Sequence, residues 1–256
     1  MIKAVLFDMD DTLLDINLTA FMTRYAADVS RILAAISGKP TVSFGVSLAR
    51  SYLALASERR EDNLTNLEFF FRKFENLTGV PADDPAISDA ITCYEQDVLP
   101  TLGDGLIAAR PMEGGLAAIE CVGDLGLTCA LATNPSFSEA CIRTRMRWAR
   151  IDDAPFALVS HMGNSTRLKP AARYYEEFAS ALGLAPEECL MVGNDARRDF
   201  PRPDVGMRTI YVGHARPRRA IWSGRMRDLA RELPAIVELC CVRDEERGRQ
   251  QGPLRR

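Results

Sequence analysis

Residues 3–14 read KAVLFDMDDTLL, and the choice of fold rests on them. The apolar run Ala4, Val5, Leu6 and Phe7 ends in Asp8, Met9, Asp10, Asp11 and Thr12. A short run of buried β-formers followed by acids describes a parallel strand that delivers carboxylates to its C-terminal end. In open α/β sheets that end is where ligands sit. An acidic N-cap at Asp11 or Thr12 would account for one of these residues. Two carboxylates at i and i+2, followed by a threonine, describe a site.

Working outward, the 256 residues are enough for one large domain or two of ordinary size. Hydrophobic residues make up 47% and charged residues 26%, so there is ample apolar material for a core. With 32 basic and 35 acidic side chains the formal charge is −3, which argues against a general nucleic-acid binder. The first residues carry one lysine and reach charge by residue 8, so neither a signal peptide nor a membrane span is expected. Seven cysteines (Cys93, Cys121, Cys129, Cys141, Cys189, Cys240 and Cys241) show no CxxC spacing, and two histidines make no zinc framework. Buried reduced thiols in a cytoplasmic protein are the expectation.

After the opening strand, Leu18, Phe21, Met22, Tyr25, Val29, Ile32, Leu33 and Ile36 fall at helical spacing, stopped by Gly38-Lys39-Pro40. Residues 44–98 carry more helical pattern and no convincing strand, with breaks at 78–81 and 83–85. The Phe-rich face Phe69 to Phe74 reads as helix packing. From Pro111 the pattern changes. A helix through Leu116, Ile119 and Val122 leads to a strand Thr128 to Ala132, then a helix Ser136 to Trp148. A short strand Phe156 to Val159 follows, then a helix Pro170 to Leu182 and strands Cys189 to Val192 and Thr209 to Val212. This alternation predicts an α/β, doubly wound, Rossmann-like parallel sheet. The core is then 1–15 and 111–242, with 16–110 a helical cap inserted into it. The charged tail 243–256, poor in apolar groups, is expected to be disordered.

Three further places fall where a site needs them. Thr133 and Asn134 end the second strand, where a hydroxyl and helix-N-terminal amides bind phosphate oxygens or simply cap the helix. Lys169 precedes Pro170 at a helix start, either as a fixed point charge or as a solvated surface lysine. Asn194, Asp195 and Asp199 follow the strand CLMV, and two acids four apart hold a hard cation or cap a helix.

With these residues in this order the chain resembles the haloacid dehalogenase-like superfamily. Its members carry a DxDxT motif, a Thr or Ser after the second strand, a Lys and a final acidic pair. Here these are Asp8, Asp10 and Thr12, then Thr133, Lys169, and Asn194 or Asp195 with Asp199. The stretches EGGLAAIECVGDLGLTCALATN, KPAARYYEEFASALGLAPEECLMVGND and GMRTIYVG are similar to the family's sequence around those motifs. The likeness covers the core alone; in the middle of the chain it amounts to the helical cap that many members insert there.

The resemblance implies Mg²⁺-dependent hydrolysis of a phosphate ester through an aspartyl-phosphate. Asp8 is then the nucleophile and Asp10 the general acid and base, and Thr133, Asn134 and Lys169 bind the transferred group. The metal sits on Asp8, the Asp10 carbonyl and Asp195. Asp199 holds Lys169 or a metal-bound water, Asn194 stands beside the metal, and Thr12 supports the loop. Many members read Gly-Asp-Ser where this chain reads Gly193-Asn194-Asp195; Asp195 is preferred as ligand because a carboxylate binds Mg²⁺ better than an amide. In the dehalogenase branch the second aspartate is replaced, and this chain keeps Asp10.

The cap size suggests a small phosphorylated metabolite or nucleotide as substrate, with no nucleic acid or membrane partner. Asn17, Phe21 and Arg24 are candidates to face the site from the cap, while Arg50, Arg59 and Arg60 read as a solvated face. The sequence is silent on oligomeric state and on any role for the basic run Arg216 to Arg219. Two rival readings are a phosphomutase or phosphonate-processing relative, and a phospho-accepting or non-catalytic module. Asp10 counts against the last, because storing a phosphoryl group needs no proton donor.

Overall fold

A computed structural model describes residues 1–57 and 60–250, with side chains described as far as Val242. The chain opens with β1 (Ala4–Phe7), reverses into the two-residue β2 (Leu14–Asp15), and runs through four helices. These are α1 (Leu18–Ser37), α2 (Thr41–Leu55), α3 (Asn66–Thr78) and α4 (Pro85–Cys93). A π turn at Tyr94–Val98 and a 3₁₀ turn at Leu99–Leu102 lead back to β3 (Arg110–Pro111). Then come α5 (Gly115–Asp124), β4 (Thr128–Leu131), α6 (Glu139–Trp148), α7 (Ala172–Ala181), β5 (Cys189–Gly193), β6 (Arg208–Val212), β7 (Ala220–Gly224) and α8 (Met226–Gln250).

The five long strands form one parallel sheet in the order β4-β1-β5-β6-β7, the expected doubly wound α/β architecture. β1 is paired on both sides, Val5 standing opposite Cys129 and opposite Leu190. All four of its residues are fully buried, as a strand covered on both faces requires. The strand's twofold alternation sorts them. Ala4 and Leu6 pack with Tyr174, Tyr175 and Phe178 of α7, while Val5 and Phe7 join the larger cluster that includes α1, α5 and α8. No disulfide joins any of the seven cysteines, and among the described residues no helix is long and apolar enough to cross a membrane.

Three elements differ from expectation. Phe156 to Val159 makes only a single parallel bridge, Leu131 to Val159. Pro155 has no N–H and the Phe156 amide turns back onto Ala154, so pairing starts only at Ala157. The helix after β4 starts at Glu139, because the Ser138 hydroxyl accepts the Cys141 N–H and fixes the cap there. At the C-terminus β7 and α8 extend the sheet and cover it, with Leu229, Leu233, Ile236 and Cys240 as the buried stripe of α8. That helix continues to Gln250, through part of the stretch expected to lack structure; 251–256 lie outside the described residues.

The antiparallel pair β2 and β3 brings the point where the chain leaves the sheet next to the point where it returns. The intervening helices pack mainly on one another. Phe70 stacks on Phe74, with 6.2 Å between ring centroids, and Phe74 stacks on Phe44 at 6.0 Å, the packing role expected for that face. They seat on the core through aromatic contacts of Phe21, Tyr25 and Tyr52 with Phe137 and through a polar anchor. The fully buried Asn66 donates to the carbonyls of Pro135 (3.1 Å) and Arg167 (3.2 Å) and accepts from Arg60. Arg60 is therefore not part of a solvated face: it is 8% exposed, forked onto Asp62 and stacked over Phe69. Arg50 is exposed as expected, and Arg59 lies outside the described residues. Replacing Asn66 with Ala orphans two buried carbonyls and one guanidinium nitrogen, and is expected to cost about 2 kcal/mol in a denaturant titration.

Candidate functional site

The C-terminal end of β1 is held by the Asp8 amide, which donates to the Val192 carbonyl of β5 at 2.9 Å. Beyond it the amides of Thr12, Leu13 and Leu14 all point at the Met9 carbonyl, closing a tight loop. Asp11 permits that reversal by taking a left-handed conformation (φ 55°), which Asp tolerates better than most side chains. The loop aims Asp8 and Asp10 into one cleft of about 200 Å³. Asn134, Lys169, Asn194, Asp195 and Asp199 line the same cleft. Four segments far apart in sequence thus converge at the strand ends.

Lys169 is the hub. Its ammonium is 2.6 Å from Asp8 Oδ1 and 2.6 Å from Asp199 Oδ1, with only 1% of its side chain exposed. Burial alone would lower its pKa, but Asp199 and Asp8 more than offset that and hold it well above its ordinary value, hence charged. Asp199 is held in turn by the Asp195 amide, which donates to its second oxygen at 2.9 Å. A Cβ on Gly193 would lie 2.2 Å from that same oxygen, so only glycine fits behind the pair. The Thr12 hydroxyl stands 3.3 Å from Asp8 Oδ2 and 3.2 Å from Asn194 Oδ1, a bracing position. Asn134 Oδ1 accepts the Lys169 amide at 3.2 Å.

Some expected residues stand elsewhere. Thr133 is buried behind the cleft without lining it, its carbonyl taken by Ser160 (2.7 Å) and Tyr174 (3.0 Å). None of Asn17, Phe21 and Arg24 lines the cleft either. Asn17 caps α1, Phe21 is fully buried, and Arg24 pairs with Asp28; Leu18 is the helix residue that reaches it. Arg219, in the basic run, binds the carbonyls of Phe200 and Pro201. The main residue the sequence reading passed over is Arg145 on α6, buried and ion-paired with Asp10. Its signal was present: Cys141, Ile142, Arg145 and Met146 share a helical face, and an arginine on an apolar stripe is out of place.

The cleft is strongly acidic. Asp8, Asp10, Asp11, Asp195 and Asp199 line it against two cations, Lys169 and Arg198. Burial, with Asp199 next, pushes Asp8 up to about 7 despite Lys169. A carboxyl whose folded pKa exceeds its unfolded value near 3.9 binds more protons in the native state between those two pH values. Its contribution to stability is therefore full below about pH 4 and is lost as pH rises through 7. With divalent cations chelated, the melting temperature is expected to fall between pH 5 and 8, less steeply in Asp8→Asn. A rise over that range in wild type contradicts the assignment.

The donors on offer to a cation are all hard oxygens: the Asp8 carboxylate, the Asp195 carboxylate, 42% exposed, and backbone carbonyls. Among the described residues no three His, Cys, Asp or Glu side chains converge as a cage. Two carboxylates, a carbonyl and retained waters suit Mg²⁺, which dehydrates reluctantly, and do not suit zinc.

A family model described as haloacid dehalogenase-like hydrolase matches residues 2–201. Among solved structures, a HAD phosphatase from Thermococcus onnurineus aligns at 21% identity and TM-score 0.55, covering 92% of this chain and 98% of that one. The L-2-haloacid dehalogenase of Xanthobacter autotrophicus aligns at 14% identity and TM-score 0.52, covering 91% and 99%. At these identities the likeness concerns the fold alone. A comparison with curated proteins gave no match.

Proposed function

The chain belongs to the haloacid dehalogenase-like hydrolases, a family of enzymes, and within it we propose a Mg²⁺-dependent phosphatase that acts through an aspartyl-phosphate on Asp8. The substrate class is a small phosphorylated metabolite or nucleotide. The observation that carries this reading is Asp10 lining the same cleft as the Lys169-bound Asp8. A carboxyl in that place can supply the proton that a departing alkoxide needs and a departing halide does not.

Asp8, ordered by Lys169 and Thr12, would attack phosphorus through the oxygen it can free toward the cleft. Lys169 would pair with the transferred phosphoryl group while Asp199 keeps it in place. Asn134, with Thr133 behind it, would bind a phosphoryl oxygen. Asp10 would give its proton to the departing alkoxide and then take one from the water that cleaves the acyl-phosphate. Asp8, the Asp10 carbonyl and Asp195 would hold Mg²⁺, with Asn194 kept beside it by Thr12. The positive charge supplied there offsets the acidic excess that would otherwise repel a phosphate dianion. The inserted helices form the cap that excludes water, and substrate choice lies on their inner side.

The test is hydrolysis of p-nitrophenyl phosphate with and without Mg²⁺, beside chloride release from 2-chloropropionate. Mg²⁺-dependent phosphate release, abolished by EDTA, is the expected result. Chloride release without phosphate release would replace the phosphatase reading with a dehalogenase one.

A further inference from the structure

We propose that Arg145 is the positioning residue for Asp10: it seals one carboxylate oxygen and leaves the other as the oxygen that exchanges a proton with the leaving group. The inference rests on the phosphatase reading above.

Arg145 lies on the inner face of α6 with 1% of its side chain exposed, and its guanidinium forms an ion pair with Asp10 Oδ1. Its carbon sits 5.1 Å from the ring centre of Phe21 and 5.3 Å from that of Phe137, so aromatic faces flank it. Its Nε is buried without a hydrogen-bond partner among the described residues, and Nη2 and Asp10 Oδ1 likewise meet as an ion pair and not as a hydrogen bond. The nearby buried carboxylate, Glu95, is engaged by Tyr25 (2.6 Å) and by Ser138 (2.5 Å) and not by Arg145. Asp10 is thus the carboxylate this guanidinium serves.

A packing explanation alone does not suffice. Taking a guanidinium out of water is costly, and a methionine would fill an aromatic slot without that penalty. Nor does Asp10 need a buried counter-ion for solvation, since 20% of its side chain is exposed on the cleft. What the pair does achieve is orientation. The Asp10 backbone is already fixed by its bridge to Leu14, which leaves only the side-chain torsions free. Oδ1 is buried against Arg145, so both torsions are set and Oδ2 is the oxygen left for the cleft. A guanidinium on a rigid helix, wedged between rings, holds such a direction better than a flexible ammonium. Proton transfer in the transition state depends on placement of this kind.

The measurement is a leaving-group comparison on the full chain with Mg²⁺: p-nitrophenyl phosphate, whose leaving group departs without a proton, against phenethyl phosphate, whose alkoxide requires one. Arg145→Met is expected to lower kcat/KM, which reports only the steps up to formation of the aspartyl-phosphate, by about 10²-fold for the alkyl ester and by no more than a few-fold for the nitrophenyl ester. Inhibition by vanadate should stay within about twofold of wild type. Asp10→Asn should show the same selective loss, and combining it with Arg145→Met should add little, because both remove one function. Arg145→Lys, which keeps the charge and loses the planar guanidinium, should recover part of the alkyl rate. It also serves as the comparison should the methionine variant not fold. Equal losses on both esters, or full additivity with Asp10→Asn, overturn the assignment while leaving the phosphatase intact. Wild type that turns over neither ester brings down the phosphatase reading and this inference with it.

Discussion

Asp8→Asn is expected to lower phosphate-ester turnover by on the order of 10⁴-fold or more, with the fold intact. An amide at this position keeps the shape and the 2.9 Å backbone bond to Val192 but supplies no anionic oxygen to attack phosphorus. Lys169 keeps Asp199 as its counter-ion at 2.6 Å, so no charge is stranded. Stability should hold or improve at pH 8, because the group removed is the one that burial and Asp199 push toward protonation. The decisive measurement is an acid quench after mixing with ³²P-labelled substrate. Wild type should carry acid-stable, hydroxylamine-labile label, and Asp8→Asn none. Turnover within tenfold of wild type in the variant would remove Asp8 as the nucleophile.

How much of this was legible in the sequence follows the range of the forces involved. β1 was legible because its four buried apolar residues and the acids after them are a local pattern, and the alternation from 128 to 212 is local in the same sense. The convergence of Asp8, Lys169 and Asp199 was legible only through their order along a fold whose strand ends must meet. What was not legible is where one side chain meets another across the chain. Arg60 beside Arg59 has the look of a solvated pair, and only the approach of Asn66 and Asp62 buries it. Arg145 sits on an amphipathic helix as one more charge among Arg143 and Arg147, and only Asp10, 135 positions away, gives it a partner. Of the two residues expected at the end of the second strand, the turn after β4 presents Asn134 to the cleft and leaves Thr133 buried behind it. β7 was hidden by the basic run ahead of it and by half-buried residues that give no clear alternation.

Lys169→Met should affect both stability and activity, and the size of the stability loss should depend on pH. Removing the ammonium leaves Asp8 and Asp199 buried and facing the same space, with no other cation among the described residues within salt-bridge distance of either. Breaking a buried pair by deleting one partner typically costs about 3–5 kcal/mol, which for a chain of this size is roughly 10 °C of melting temperature. That cost is conditional. Without Lys169, Asp8 loses the charge that opposes the upward push of burial and Asp199, so the folded state binds an extra proton there. The native state of the variant is therefore relieved at low pH and penalised as pH rises. The gap in melting temperature between wild type and Lys169→Met should be small at pH 5 and approach its full size at pH 8. Turnover should fall by about 10²-fold or more at any pH, since the phosphoryl group loses its fixed charge. Lys169→Arg does not rescue either property: a planar fork cannot place one nitrogen 2.6 Å from both carboxylates in a space built for an ammonium. A stability gap that stays constant from pH 5 to 8 would mean that the two carboxylates do not face each other through Lys169, and the site would have to be rebuilt around a different hub.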